Sequence, residues 1–289
     1  MFVVWRSCGA VALGAALVAT LAASAARAQA TGPLDPARLE REQLIFVQEG
    51  TLPIILTCPH GGRERVPGVA ERVDRGVDNR FVTVRDENAA ELTEALMADV
   101  EKSLGGKPFV VIARFERKYI DANRPAEKAY DGTAAKPYYD TYHEVLARFC
   151  REVQNKWRGG LLLDVHGQST YPDSLLRGTN NGQTVKLMLQ RHGREAFTGP
   201  DSIFGAMEQA GFDTVPKCAS DDRENPRFDG GHTVTTYGSH QPGGIDAIQL
   251  EFGRGFRATK AEAAKSAGEL AKAVEKYARK YLGIVSGGQ

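Results

Sequence analysis

The chain has 289 residues, with 37 lysines and arginines against 36 aspartates and glutamates and a formal net charge of +1. Acids and bases are interspersed, so there is no electrostatic case for a nucleic-acid or anionic-membrane partner. The four cysteines include no CxxC pair, which removes the usual thiolate zinc site from consideration.

Arg6 precedes an apolar run over residues 8–23, and small residues close the segment at Ala26-Arg27-Ala28 or Ala28-Gln29-Ala30. This pattern predicts a signal peptide over residues 1–28, cleavage near 28–30 and a periplasmic or secreted product. The run is short and alanine-rich for a membrane span of about 20 strongly apolar residues. No later segment is a better candidate, so no membrane partner is expected after cleavage. Residues 31–289 are expected to form one domain with a substantial core. Loss of Cys8 leaves Cys58, Cys150 and Cys218, which allow at most one internal disulfide and leave one thiol over.

Residues 31–44, with Pro33 and Pro36, read as a leader into the fold. Residues 52–57 predict a buried strand that runs into Cys58-Pro59-His60-Gly61-Gly62. Residues 63–81 are charged and broken by Pro67, Gly68 and Gly76, as a surface loop lining a site would be. Residues 86–104 place Leu92, Ala95, Leu96 and Val100 on one helical face, and Gly105-Gly106 ends it. A buried strand follows over 109–113 and an amphipathic helix over 142–157. The run Leu161-Leu162-Leu163 climbs to Asp164-Val165-His166-Gly167, which is how a buried strand reads when it carries a polar ligand to the rim of a sheet. One or two helices are expected over 182–211, a long Gly/Pro-rich loop over 225–244, a strand over 247–252 and an alanine-rich helix over 258–281. Strands alternating with helices predict an α/β domain whose mostly parallel, mixed sheet is covered by helices on both faces. Ligands of such sheets sit outside the carboxyl ends of the strands, where His60, His166 and Glu251 all fall.

A catalytic zinc takes three protein ligands and keeps one position open. His60 and His166 supply two nitrogens, unless each merely caps its strand. Asp86, at the head of the expected helix, is the candidate third ligand, with Glu87 and Glu64 as competitors; Asp86 could instead favour the helix N-terminus electrostatically. Asp164 shares a strand face with His166 and either orients a histidine or bonds to neighbouring backbone. Glu251 interrupts an apolar strand, and a buried carboxylate there needs pairing or a task. It reads as a general base or as the partner of Arg254 or Arg257. In Tyr119-Ile120-Asp121-Ala122-Asn123-Arg124-Pro125, Arg124 and Asn123 suit a substrate carboxylate. Arg117 or Lys118 suits a developing oxyanion. At least two of Arg114, Arg117, Lys118 and Arg124 are expected on a solvated face.

Pro59-His60-Gly61-Gly62, Asp86 before a helix, Ile120-Asp121-Ala122-Asn123-Arg124, Leu163-Asp164-Val165-His166-Gly167 and Gln249-Leu250-Glu251 stand in the order found in N-formylglutamate amidohydrolases. The chain resembles that family over roughly residues 50–260. Gly230-Gly231-His232 to Tyr237-Gly238 also looks like its glycine-rich substrate loop, which makes His232 a candidate for substrate binding. The resemblance implies a fold similar to zinc carboxypeptidases and aspartoacylases. It also implies one zinc ion per chain held through His60 and His166, a carboxylate anchor at Asn123-Arg124, and Glu251 as base. Gly167-Gln168-Ser169 departs from the family, and export is unexpected for an enzyme of cytosolic histidine breakdown. The expected partner is therefore a small-molecule carboxylate or a short peptide, not N-formylglutamate in particular. A zinc peptidase acting on peptides or cell-wall fragments, and a non-catalytic periplasmic binding protein, are the competing readings.

Overall fold

Four parallel strands form the middle of a seven-stranded mixed sheet in the computed structural model, which describes residues 33–76 and 81–284. In chain order the elements are α1 (Pro36–Arg41), β1 (Ile45–Gln48), β2 (Ile54–Cys58), α2 (Ala89–Leu104), β3 (Phe109–Ala113), α3 (Ala126–Ala129), α4 (Lys136–Trp157) and β4 (Leu161–Gln168). They continue with β5 (Ser174–Gly178), α5 (Lys186–Thr198), α6 (Ile203–Gln209), β6 (Asp213–Val215), α7 (His232–Tyr237), β7 (Asp246–Gly253) and α8 (Lys260–Tyr281). The chain divides into Met1–Thr31 and Gly32–Gln289. The expected signal peptide and its cleavage site lie outside the described residues, and Gly32–Gln289 holds the single α/β domain.

Across the sheet the order is β1-β3-β2-β4-β7-β5-β6. β3, β2, β4 and β7 run parallel, β1 is antiparallel to β3, and β5 is antiparallel to β7. From β2 the chain passes to β3 on one side, and β4 then fills the other. That reversal opens a crevice at the carboxyl ends of β2 and β4, the usual place for a ligand in an open α/β sheet.

Both faces are covered. Ile54, Leu56, Leu161, Leu163, Ile248 and Leu250 share one core with Leu92, Leu96 and Val100 of α2 and Leu270 and Val274 of α8. The alternate residues Ile55, Val111, Leu162 and Ala247 share the other with Tyr142, Leu146 and Phe149 of α4 and Leu39 of α1. Two-sided burial is why these strands read as unbroken apolar runs.

Several expectations are corrected. Residues 31–44 are not simply a leader: Asp35 caps α1 by accepting from the Ala37 N–H at 3.2 Å, Pro36 sits in its first turn, and Leu39 and Leu44 are buried. The prolines that suggested a linker are a helix start. β1, β5 and β6 lie outside the expected strands, and α4 begins at Lys136 rather than near Tyr142. The long loop over 225–244 contains α7, whose Thr-Val-Thr-Thr sequence carries weak helix propensity. Asp86 precedes α2 rather than opening it, and Asn88, at a φ of 57°, holds the N-cap position without a capping bond, its amide donating to the Arg257 carbonyl instead. β4 continues through His166 to Gln168 instead of ending there. Among the described residues Cys58, Cys150 and Cys218 are free and buried.

Gly62 has a steric reason: a Cβ there would lie 2.2 Å from the Phe115 carbonyl oxygen, against the backbone that follows β3. Leu163 sits fully buried at the sheet centre. Leu163→Ala is expected to cost about 2–5 kcal/mol, whereas Val73→Ala, at a 62% exposed position, should stay within about 0.5 kcal/mol. Thermal or urea unfolding followed by circular dichroism checks both.

Candidate active site

The second core turns polar towards the carboxyl end of the sheet. Thr57, Asp164 and Gln249 stand in register on β2, β4 and β7, and His166 is in register with Glu251 two residues further on. Period-two alternation puts all five side chains on one face. His60 lies two residues past β2, and its carbonyl accepts the Asp86 N–H at 2.9 Å. That main-chain bond brings Asp86 beside both histidines.

The side chains of His60, Asp86 and His166 converge, each buried, with one ligand atom from each lying within 4.8 Å of the other two. Asp86 Oδ2 is 3.5 Å from His60 Nδ1 and 3.2 Å from His166 Nδ1, and it accepts the Gly167 N–H at 3.0 Å. His60 Nδ1 is buried and makes no hydrogen bond. A buried nitrogen with no partner, beside a second imidazole nitrogen and a carboxylate oxygen, fits a metal ion with hydrolytic ligand chemistry. Among the competing carboxylates, Glu87 is largely exposed and pairs with Arg85 at 3.5 Å. Glu64 is exposed, in a β-bridge with Phe115.

The distal nitrogen of each imidazole meets its own carboxylate. His60 Nε2 donates to Asp121 Oδ1 at 2.6 Å, and His166 Nε2 donates to Asp164 Oδ2 at 3.0 Å. With a metal ion in place, these bonds would favour the tautomers whose Nδ1 faces Asp86. Asp164 is itself held by the Thr57 hydroxyl, so it orients His166 rather than bonding only to backbone. Asp121 accepts from Arg117 Nε at 2.9 Å and the Asn123 N–H at 3.1 Å, with Arg72 3.6 Å away. Burial works to raise its pKa, but Arg117 and His60 outweigh that and hold the carboxyl well below the usual range.

A cavity of about 830 Å³ opens over this group. It is lined by His60, Asp86, Arg117, Asn123, Arg124, His166 and Glu251, so the structure brings these seven candidates together. Burial pushes the Glu251 pKa up to about 7, with His166 pulling it down, Asp86 pushing it up and Arg117 pulling it down. Glu251 accepts from Gln249 Nε2 at 2.9 Å and forms no ion pair with Arg254 or Arg257. Arg257 instead donates to the carbonyls of Phe252, Gln168 and Glu87, lying over Gly167 where a Cβ would strike its guanidinium. Arg124 and Arg254 also line the cavity.

Two of the sequence candidates, His232 and Asn123, make contacts within the protein. His232 is not among the lining residues; it lies 3.3 Å from the Tyr139 hydroxyl, with its ring 5.4 Å from that of His143. The Asn123 amide is engaged within the protein, Oδ1 accepting the Thr233 N–H at 2.8 Å and Nδ2 donating to Gln249 Oε1 at 3.3 Å. Arg114 and Lys118 fall on the surface side, paired with Glu94 and with Glu71 and Glu116. Sequence reasoning assigned no role to Asp121 or Gln249. Their signal was an acid between buried Ile120 and Ala122, and an amide two positions before Glu251 on the same strand face.

No family model matches the sequence, and no curated protein matches it. Solved structures do. The N-formylglutamate amidohydrolase from Ralstonia eutropha JMP134 superposes with a TM-score of 0.58 at 15% identity, over 82% of this chain and 99% of that one. A gene product of Agrobacterium tumefaciens gives 0.52 at 16% identity, over 82% and 97%. The likeness is one of fold.

Asp121→Asn is expected to weaken binding of a divalent transition metal by about 10–100-fold, because it loosens the His60 tautomer and ring orientation. Asp86→Asn should abolish tight binding, and Glu87→Gln should leave it unchanged. Metal titration against a competing chelator measures all three.

Proposed function

We propose that the chain is an exported zinc-dependent amidohydrolase that cleaves the amide bond of an N-acyl amino acid or a similar small carboxylate. The observation that carries this reading is the convergence of His60, Asp86 and His166 beside buried Glu251 on the wall of one arginine-lined cavity. The fold shared with an amidohydrolase supports it.

The ligands in this reading are His60 Nδ1, His166 Nδ1 and an Asp86 carboxylate oxygen. Zinc supplies Lewis acidity towards a carbonyl and towards water. Glu251 takes the proton of the attacking water and delivers it to the leaving nitrogen, a task suited to a carboxyl whose pKa burial has raised to about 7. Arg124 anchors the substrate carboxylate. Arg117 is held by Asp121 and keeps its charge against burial because of that pairing, so it offers a fixed cation to the developing oxyanion. Asn123, with both amide atoms engaged, holds the anchor segment in place.

A second reading, a peptidase built on the same residues, is favoured by the size of the cavity. About 830 Å³ lies in the upper part of the range for pockets that take drug-sized ligands, roughly 300–1,000 Å³. Comparing kcat/KM for N-formyl and N-acetyl amino acids with that for short peptides separates the two. Under either reading Glu251→Gln should retain one zinc per chain by atomic absorption yet lose at least about 100-fold in kcat, the low end for a general base. Near-normal turnover by that variant would overturn the mechanism. Bound zinc with no hydrolysis of any amide in the panel would instead support a binding protein.

A further inference from the structure

We propose that Gln249 is a positioning residue that sets the carboxylate of Glu251 and ties it to the glycine-rich segment on the cavity wall. This inference rests on the reading of Glu251 as the base.

Two backbone donors here have fixed directions. The Thr233 N–H points at Asn123 Oδ1 at 2.8 Å, which fixes the Asn123 amide with its nitrogen turned inward. That nitrogen lies 3.1 Å from His166 Nε2 and donates to Gln249 Oε1 at 3.3 Å, and the Gly231 N–H donates to the same oxygen at 2.7 Å. With two donors aimed at Oε1, the Gln249 amide has one workable orientation, because the flipped one would set its NH2 against two N–H groups. Its Nε2 therefore faces Glu251 Oε1, at 2.9 Å. One carboxylate oxygen of the base is thus occupied, which leaves the other for proton transfer in the cavity. Gln249 is buried at the edge of the cavity, so losing a partner there leaves a polar group poorly satisfied.

The same amide links three pieces of chain. Gly231 caps α7 and closes the segment containing Pro226, Arg227, Phe228 and Gly230 on the cavity wall. Its contact with Asn123 is tight: a Cβ on Gly231 would lie 2.1 Å from Asn123 Nδ2. Asn123 precedes Arg124, and Glu251 follows on the strand that carries Gln249. A shift of the glycine segment or of the anchor segment is therefore felt at the base through one side chain.

Gln249→Glu separates this role from a structural one. A carboxylate at position 249 still accepts from Gly231 and Asn123, so the loop ties persist, but the donor to Glu251 is gone and a like charge replaces it. The expected result is a kcat lower by about 10–100-fold, in line with misplacement of a catalytic group. KM should remain within threefold and zinc content near wild type, while Tm falls because a second carboxylate is buried beside Glu251. The acid limb of the kcat profile should move to higher pH, since a neighbouring carboxylate disfavours ionisation of Glu251. Gln249→Met, which removes all three bonds at similar volume, should lower kcat by at least as much. Wild-type kcat in Gln249→Glu, or a loss in both variants with an unmoved acid limb, would overturn the inference while leaving Glu251→Gln to judge the base. If the wild type hydrolyses no substrate in the panel, the functional reading and this inference fall together.

Discussion

Carboxylates and imidazoles taken out of water cost several kcal/mol each unless they are paired, and the centre of this fold is an arrangement that pairs them. Asp121 with His60, and Asp164 with His166, hold the two rings from behind. Arg117 and Arg72 offset the charge of Asp121. The register of β2, β4 and β7 makes this possible, because it aligns Thr57, Asp164 and Gln249 in a row, with His166 and Glu251 just beyond. A slip of one residue in any of these strands would turn its polar side chains into the opposite, apolar core. The apolar residues earlier in the same strands oppose such a slip, so packing below secures the chemistry above.

The parts of this design visible in the sequence were those with a long or repeated pattern. The strands at Ile54, Phe109, Leu161 and Asp246 are buried on both faces and read as largely apolar runs, and the helices from Ala89, Lys136 and Lys260 carry clear periodicity. β5, β6 and α7 are three to six residues long, too short for a period to emerge. α1 was hidden because its prolines resemble those of a linker.

The site divides along the same physical line. His60, His166 and Glu251 stood out as polar interruptions of apolar runs. Asp86 stood first among the carboxylates that could join the histidines, ahead of Glu87 and Glu64, and a main-chain bond to His60 is what brings it there. Asp121 went unassigned since its partner His60 lies 61 positions away. The placement of His232 beside Tyr139 and His143 likewise follows from packing that no local pattern announces.

The bond from the Asp86 N–H to the His60 carbonyl has a further bearing on how the centre behaves. It joins the segments that carry His60 and Asp86 through peptide groups alone, and so owes nothing to the side chains they present. Exchanging either side chain leaves the scaffold beneath it clasped. The spacing of the two segments is therefore set by the backbone, separately from the charges that their side chains must balance.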